Sequence, residues 1–336
     1  MSTIKKILNG KDLTCQSIWF MRQAGRYLPE FKKIRSQNKN FIKLCLDSNL
    51  SAEITLQPIK RYNLDSAIIF SDILLVPYAL GQEVNFIKNK GPVLSKFNLK
   101  NFLNNNNNSF TKKLNPIYKA ITKTRKKLKK DKSLISFIGA PWTLIIYMLR
   151  LKEGKDKINL LKIKQNESEI HIILEKIINY LCIHIKKQID AGADIVQIFD
   201  SWAGLIPVQS LKKYCFEPNL KLVNFCKNNK IPVICFPKGI NKKYLEFNTI
   251  VKPDGLSLDP DIDPVWARQN LTNVALQGGM HPKMLLKPEQ EMYAETKKYL
   301  DIFKHVPYIF NLGHGLLPET DPNKLDKLIK FVRKHR

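Results

Sequence analysis

Two arginines on a short glycine-containing segment are the first residues whose chemistry stands out. Arg22 and Arg26 flank Gly25 within MRQAGRYLPEF (21–31). Guanidinium groups bind carboxylates through paired, charge-assisted hydrogen bonds, so two of them on one loop suit a substrate with several carboxylates. The alternative is a pair of solvated arginines on a helix face, which the intervening glycine disfavours. The pair therefore indicates a carboxylate-binding loop.

Four other polar residues follow short apolar segments, and each has a structural and a functional interpretation. Asp72 follows Ser71 at a junction where helix capping, taken alone, is the favoured role. Tyr147 has the spacing of an aromatic in a helix core. Ser201 either caps a helix or binds a ligand. His314 lies between two glycines, whose backbone freedom suits ligand contact and loop packing equally.

The elements that must position these residues alternate along the chain. Eight short apolar runs have strand length and lack the helical period, whereas stretches such as 169–190 have apolar residues three and four apart. Strands alternating with helices eight times predict an α/β fold, a (β/α)8 TIM barrel. The eight runs are SIWFM (17–21), SAIIF (66–70), LISFI (134–138), DIVQIF (194–199), PVICF (232–236), DGLSL (254–258), VALQG (274–278) and YIFNL (308–312).

Polar, glycine-rich and proline-rich segments follow five of these runs, including DSWAGLIP (200–207) and GHGLLPETDP (313–322). In such a barrel the ends of all strands meet on one face, so these segments predict an active-site mouth. We see no internal repeat and no linker, so residues 1–336 are expected to form a single domain. A solvated Asn/Lys-rich insertion is expected near 97–132.

The formal net charge of +27 is the strongest compositional feature. It raises the alternative of a non-catalytic polyanion-binding or RNA-binding protein. The lysines are scattered through every segment rather than concentrated, and the asparagine run 104–108 accompanies them, so no nucleic-acid partner is expected. A basic field would still attract a polyanionic substrate.

Several signatures are absent from the sequence. There is no Walker loop, no G-x-G-x-x-G and no G-x-S-x-G, which argues against nucleotide binding and the commonest serine hydrolases. The six cysteines (15, 45, 182, 215, 226 and 235) form no C-x-x-C pair, so we expect reduced thiols and no zinc ribbon. No signal peptide or membrane span is apparent, which predicts a cytoplasmic protein without a membrane partner.

Six blocks of the chain, in order, resemble those of the uroporphyrinogen decarboxylases. The first is a highly specific signature, and together the blocks span nearly the whole chain. The resemblance implies a (β/α)8 barrel, a homodimer, and conversion of uroporphyrinogen III to coproporphyrinogen III with release of four CO2 and without metal or other cofactor. The blocks are WFMRQAGRYLPEF (19–31), IFSDIL (69–74), GAPWTL (139–144), IFDSWAG (198–204), PVICFPKG (232–239) and GHGLLPETDP (313–322).

The resemblance also implies roles for individual residues. Asp72 would accept the pyrrole N–H bonds at the centre of the ring and stabilise a ring cation, and Arg22 is a candidate proton donor, beside a water or a substrate carboxyl. The resemblance gives no metal site. The expected substrate-binding residues are Arg22, Gln23, Ala24, Gly25, Arg26, Asp72, Tyr147, Ser201 and His314.

Two places depart from the family pattern. Ser257 and Leu258 replace an expected Asp-Trp, and Gly279 and His281 replace an expected Asn and Asp. These changes bear on loop support rather than on the expected site residues. The related alternative is a corrinoid- or thiol-dependent methyltransferase of the same superfamily, but its typical His-X-Cys zinc element is missing from this sequence.

Overall fold

Ten strands form two sheets in the computed structural model, which describes residues 2–10, 17–87, 91–154 and 157–335. Each of the eight predicted runs overlaps one strand of the larger sheet. The strands are β1 (Ser17–Ile18), β2 (Ser66–Ile68), β3 (Val84–Ile87), β4 (Gly91–Leu94), β5 (Ser133–Gly139), β6 (Ile195–Asp200), β7 (Val233–Pro237), β8 (Gly255–Leu258), β9 (Ala275–Gly278) and β10 (Tyr308–Phe310).

Helices separate the strands, as the apolar spacing predicts, and the amphipathic stretch 169–190 lies within the longest of them. Short 3-10 or π turns occupy Ala203–Leu205, Val208–Ser210, Lys212–Phe216, Asn241–Lys243 and Pro282–Leu286. The α-helices of the described chain are α1 (Thr3–Leu8), α2 (Pro29–Gln37), α3 (Phe41–Cys45), α4 (Ser48–Arg61), α5 (Leu75–Ala79), α6 (Leu99–Leu103), α7 (Asn107–Lys127), α8 (Pro141–Met148), α9 (Leu160–Gln165), α10 (Glu167–Asp190), α11 (Glu217–Asn228), α12 (Tyr244–Val251), α13 (Pro264–Asn270), α14 (Glu289–Ile302) and α15 (Pro322–Lys334).

The larger sheet is an eight-stranded barrel of parallel strands in the order β1-β10-β9-β8-β7-β6-β5-β2. Its two end strands, β1 and β2, are joined through the residue that precedes β2. The Asp65 N–H donates to the Ile18 carbonyl at 2.9 Å, and the Ile18 N–H donates to the Asp65 carboxylate at 2.7 Å. The ring of strands is therefore nearly closed, which confirms the predicted (β/α)8 barrel.

Alternate residues of the strands fill the interior of the barrel. Ile135, Ile195 and Ile234 belong to one buried cluster, which also contains Ile4 and Ile7 of α1. The intervening residues point outward to the helices, as a period of two requires. Because α1 contacts the beginnings of the strands, it closes the barrel end opposite the mouth.

A polar network crosses this apolar interior. The Trp19 indole donates to the Gln277 Oε1 at 2.8 Å, and the Gln277 Nε2 donates to the Ser257 hydroxyl at 2.7 Å. All three side chains are buried. A buried polar group is tolerated only when it is hydrogen-bonded. Gln277 satisfies both the Trp19 indole and the Ser257 hydroxyl, and it thereby links the segments of β1, β8 and β9.

The segment between β2 and β5 is longer than the other connections. It contains α5, the antiparallel hairpin β3–β4, α6 and α7. Helix α7 buries Phe110, Leu114 and Ile117, and the Asn106 side chain caps it by accepting the Ser109 N–H at 2.9 Å. The asparagine run thus serves as helix caps, and the insertion near 97–132 stays a prediction.

The five described cysteines form no disulfide: Cys45, Cys182, Cys215, Cys226 and Cys235 are free thiols. This confirms the prediction of reduced thiols for these five, whereas Cys15 lies outside the described residues. None of the described helices combines the length and apolar character that a membrane span requires.

Replacing Gln277 by alanine tests the interior network. We expect Gln277→Ala to lower the free energy of unfolding by about 2–4 kcal/mol, because it leaves a cavity and an unpaired indole N–H. Urea denaturation followed by circular dichroism measures the loss. Gln209→Ala, on an exposed turn, is the control, and an equal effect of both changes would show that the network does not stabilise the barrel.

Candidate active site

The residues that the sequence singles out lie beyond the carboxyl ends of different strands. Arg22 and Arg26 follow β1, Asp72 follows β2, Ser201 follows β6 and His314 follows β10. Tyr147 lies in α8, directly after β5. Because all eight strands are parallel, these positions share one face of the barrel.

The loop after β1 places Arg22 in an unusual backbone conformation. Its φ angle is 62°, in the left-handed region that non-glycine residues rarely adopt. Gly315 makes room for its side chain, since a Cβ there would lie 2.4 Å from the Arg22 Cδ. The Leu316 N–H also donates to the Met21 carbonyl at 2.9 Å. The loops after β1 and β10 therefore fix Arg22 together.

Arg22 is exposed to solvent, yet much of its surroundings is protein, as for a side chain at the mouth of a cleft. This burial lowers the pKa of Arg22, the charge of Arg26 lowers it further, and the Asp72 carboxylate opposes both effects. The two guanidiniums and the carboxylate are therefore close enough to interact. Arg26 is exposed, and Ala24 and Gly25 are half-buried, so this loop forms part of the rim.

Gln23 occupies a different position from its neighbours on the same loop. Its side chain is fully buried; its Oε1 accepts the Phe20 N–H at 3.0 Å and its Nε2 donates to the Ser66 carbonyl at 2.9 Å. The amide therefore connects the loop after β1 to β2 and does not face the mouth. Its expected substrate contact stays a prediction, and its observed partners are all protein groups.

Only one oxygen of the Asp72 carboxylate accepts a hydrogen bond from the turn that follows β2. Its Oδ1 accepts the Leu74 N–H at 2.8 Å, as the capping interpretation predicts, whereas Oδ2 has no hydrogen-bond partner among the described residues. Burial raises the pKa of Asp72 to about 6, although the Leu74 N–H and the Arg22 guanidinium both lower it. Asp72 is thus an anion near neutral pH with one free oxygen.

Tyr147 and Trp202 line the mouth between β5 and β6. Their rings meet edge to face with centroids 5.9 Å apart. Burial raises the pKa of Tyr147, and the Trp202 indole lowers it in part. The Trp202 Nε1 is buried and reaches no acceptor at hydrogen-bonding distance in the described structure. Ser201, half-buried, immediately precedes this tryptophan.

His314 is half-buried between Gly313 and Gly315. Burial, with smaller contributions from the charges of Arg22 and Lys238, lowers the pKa of His314 to about 4. The imidazole is therefore neutral near neutral pH and offers a hydrogen bond without a charge. The adjacent Gly315 lies directly against the Arg22 side chain, so His314 belongs to the same barrel mouth as Arg22.

Asp200 is a buried carboxylate that sequence reasoning did not single out. It belongs to the outward-facing residues of β6 and accepts hydrogen bonds from the Thr143 hydroxyl at 2.7 Å and the Asn219 amide at 3.3 Å. The Thr143 Oγ1 in turn accepts the Trp202 N–H at 3.2 Å. Burial raises the pKa of Asp200 to about 6. Asp200 therefore ties α8, which carries Tyr147, to the segment after β6.

The loops after β7 and β8 complete the rim. The Asp259 carboxylate accepts the Gly239 N–H at 2.6 Å and the Tyr244 hydroxyl at 2.9 Å. Burial raises the pKa of Asp259 to about 6. A Cβ at Gly204 would lie 2.6 Å from the Gly239 carbonyl oxygen, so only glycine allows the loops after β6 and β7 to approach this closely.

The departures from the family pattern have local replacements. Ser257 joins the Gln277 network, and Leu258 is buried. Gly279 has a φ angle of 101°, and a Cβ there would lie 2.7 Å from Tyr299. The His281 Nδ1 accepts the Lys283 N–H at 3.0 Å. His281 thus caps the turn that an aspartate would cap, but it brings no negative charge.

Comparison with known proteins gives consistent results. The family model described as "Uroporphyrinogen decarboxylase (URO-D)" matches residues 1–335. The uroporphyrinogen decarboxylase of Rickettsia bellii is 41% identical over 327 residues, covering 95% of this chain and 94% of that protein. The protein of the same name from Jannaschia sp. is 35% identical over 342 residues, covering 99% and 100%.

A solved structure shows the same fold at greater distance. A methyltransferase from Methanosarcina mazei superposes with a TM-score of 0.71 at 16% identity and covers 99% of each chain. This likeness concerns the fold alone. Because the family model and the relatives match almost their full lengths, the chain belongs to the uroporphyrinogen decarboxylase family.

Proposed function

We propose that this chain decarboxylates the four acetate side chains of uroporphyrinogen III, giving coproporphyrinogen III and four CO2 without a metal or other cofactor. The observation that carries the proposal is the half-buried Asp72 carboxylate, with one free oxygen, on the same barrel face as Arg22. A tetrapyrrole with peripheral carboxylates and central N–H groups requires this charge pattern. Family membership supports the assignment.

Substrate binding begins with the two guanidiniums of the loop after β1. Arg22 and Arg26 bind carboxylates, because each presents several N–H donors in a planar fork. Tyr147, Ser201 and neutral His314 donate hydrogen bonds to acetate or propionate groups. Gln23 holds the loop in place, and Ala24 and Gly25 allow the substrate to approach its backbone.

Catalysis requires an electron sink for the acetate that loses CO2. Protonation of a pyrrole ring carbon gives a cation; the bond between the acetate methylene and its carboxylate then breaks, and its electron pair moves into the ring. A second proton converts the exocyclic methylene to a methyl group, and the ring releases the first proton. Asp72 accepts the pyrrole N–H bonds and stabilises the cation, because its charge is already in place in a poorly solvated cleft.

The first proton has three candidate donors. Arginine holds its proton with a pKa above about 12 in water, but burial lowers the pKa of Arg22. Arg22 is therefore the protein group that the site favours, beside a water and a substrate carboxyl. We propose the same arrangement for each of the four acetates, since the tetrapyrrole can present each in turn.

Two competing functions receive less support. A methyltransferase would use a zinc site, and the described residues contain no group of three or more His, Cys, Asp or Glu side chains that could hold a metal ion. RNA binding would require a concentrated basic face, whereas many lysines pair with surface carboxylates, as Lys221 does with Glu175. The homodimer is proposed from the resemblance, and the cytoplasmic location without membrane or nucleic-acid partners is proposed from the sequence features described above.

Anaerobic incubation with uroporphyrinogen III, followed by chromatography of the oxidised products, tests the proposed reaction. Porphyrins with seven to four carboxyl groups are expected. Asp72→Asn should reduce turnover about 100-fold or more, because the ring cation loses its fixed counter-charge. Asp131→Asn, at an exposed position, is the control. Recovery of the octacarboxyl porphyrin alone with the unmodified protein would refute the proposal.

The pH dependence tests the role of Asp72 separately. Since burial raises the pKa of Asp72 to about 6, the anion is lost as the pH falls through that value. We expect kcat/KM to decrease tenfold per pH unit below about 6, as for a single required base. Asp200 and Asp259 have pKa values in the same range, so the decrease at acid pH must persist in Asp200→Asn and Asp259→Asn variants. If the decrease disappears in either variant, it reports the titration of that residue and not of Asp72.

The contact between Gly315 and Arg22 gives a further prediction. Gly315→Ala would place a Cβ 2.4 Å from the Arg22 Cδ, so the guanidinium must move. We expect an increase in KM of about tenfold or more from the misplaced carboxylate ligand. In an Arg22→Ala background the same substitution should add little. Independent, additive effects would show that Gly315 acts by another route.

A further inference from the structure

Lys238 directly follows β7, at the carboxyl end of the strand and therefore at the mouth of the barrel. The pairing of β6 with β7 sets Asp200 opposite Pro237, and the Lys238 N–H donates to the Asp200 carbonyl at 3.1 Å as one of the bonds of that pair. The same N–H also donates to the Phe236 carbonyl at 3.0 Å, so the chain turns at Pro237 and the strand ends there. Ser201 likewise follows the last paired residue of β6, so the serine and the lysine begin neighbouring loops of the mouth.

A second observation relates this lysine to the residues proposed to bind substrate. Besides burial, the charges of Arg22 and Lys238 lower the pKa of His314. His314 follows β10 on the same face of the barrel, and the adjacent Gly315 lies directly against the Arg22 side chain. Lys238, His314 and Arg22 therefore belong to one mouth.

The backbone of Lys238 is held on both sides. Its carbonyl accepts the Gly204 N–H at 2.8 Å, and the following Gly239 donates to Asp259 at 2.6 Å. Gly204 and Gly239 approach so closely that a Cβ at Gly204 would clash with the Gly239 carbonyl oxygen. The backbone of Lys238 is thus tied to the loops after β6 and β8.

The charge of Lys238 is not neutralised by a direct protein partner. It forms no ion pair with a carboxylate of the described residues, and Asp259, the acidic group in its electrostatic range, already accepts hydrogen bonds from Gly239 and Tyr244. The family pattern has aspartates where this chain has Ser257 and His281. A half-buried cation without a paired anion is a binding group for an anionic ligand.

The position of β7 in the ring decides which part of the ligand it would meet. In the order of the eight strands, β7 is the fourth from β1 in either direction once the ring is closed. Lys238 therefore stands across the mouth from Arg22 and Arg26. A tetrapyrrole carries carboxylates around its whole periphery, so cations on one side alone would leave half of them without partners.

We propose that Lys238 is a second carboxylate-binding residue, which holds an acetate or propionate group on the side of the tetrapyrrole opposite Arg22 and Arg26. The inference rests on the proposed function. Lys238 acts as a point charge in binding rather than as a proton donor. Together with the two arginines it orients the ring plane across the mouth, with Asp72 at its centre.

Steady-state kinetics with uroporphyrinogen III test this role in three variants. Lys238→Gln should raise KM about 10- to 100-fold, the loss expected for one charge-assisted hydrogen bond, with a smaller effect on kcat. Lys238→Arg should restore most of the affinity, because it restores the charge. Lys242→Gln, at an exposed position on the following turn, removes the same charge outside the cleft and should leave KM unchanged.

Binding of the oxidised octacarboxyl porphyrin, followed by quenching of protein fluorescence, separates the two proposals. If the unmodified protein turns over and Lys238→Gln matches Lys242→Gln in both KM and porphyrin binding, the role of Lys238 is refuted while the decarboxylase assignment stands. If the unmodified protein shows no turnover but Lys238→Gln alone weakens porphyrin binding, the assignment fails and the carboxylate-binding role is supported. Circular dichroism establishes that each variant folds.

Discussion

The attraction between the Arg22 guanidinium and the Asp72 carboxylate is the interaction on which the rest of the site depends. Burial disfavours both charges: it raises the pKa of Asp72 and lowers that of Arg22. Each charge opposes the effect of burial on the other. Without Arg22, the pKa of Asp72 would rise further. The Leu74 N–H and the Arg22 guanidinium together therefore favour the ionised carboxylate in a cleft that disfavours it.

The barrel supplies the rigidity that this pair requires. Arg22 adopts a left-handed backbone conformation, which persists only where the surroundings fix it. They do so through Gly315, through the hydrogen bond of Leu316 to Met21, and through the buried amide of Gln23. These contacts join the loops after β1 and β10 to β2, where the ring of strands closes. The contacts that close the barrel therefore also fix the position of the Arg22 guanidinium.

The sequence predicts the barrel well because its strands are short apolar runs between polar turns. All eight runs overlap strands, but SIWFM (17–21) gives only the two-residue strand Ser17–Ile18, since the chain must turn toward Arg22. The hairpin β3–β4 was missed because its residues are partly exposed and show no strong alternation. Among the site residues, positions within motifs, such as Asp72, lie beyond the strand ends, where the sequence predicts them, and their roles stay predictions. The sequence does not single out Asp200 or Lys238, because their surroundings depend on which strands become neighbours in the barrel.

The distribution of charge at the mouth explains why a polycarboxylate is the expected ligand. Of the acidic groups near the rim, Asp200 uses both carboxylate oxygens in hydrogen bonds to protein donors, Asp259 accepts two through Oδ2, and Asp72 accepts one, from the Leu74 N–H. Serine and histidine at 257 and 281 remove two further negative charges from the family pattern. A cleft with this excess of positive charge is stabilised when a polycarboxylate enters it, and the ligand's own N–H groups then complete the hydrogen bonding of Asp72. Binding and catalysis consequently depend on opposite charges of the same ligand. The cations of the mouth orient its peripheral carboxylates, and Asp72 stabilises the cation that forms transiently on the ring.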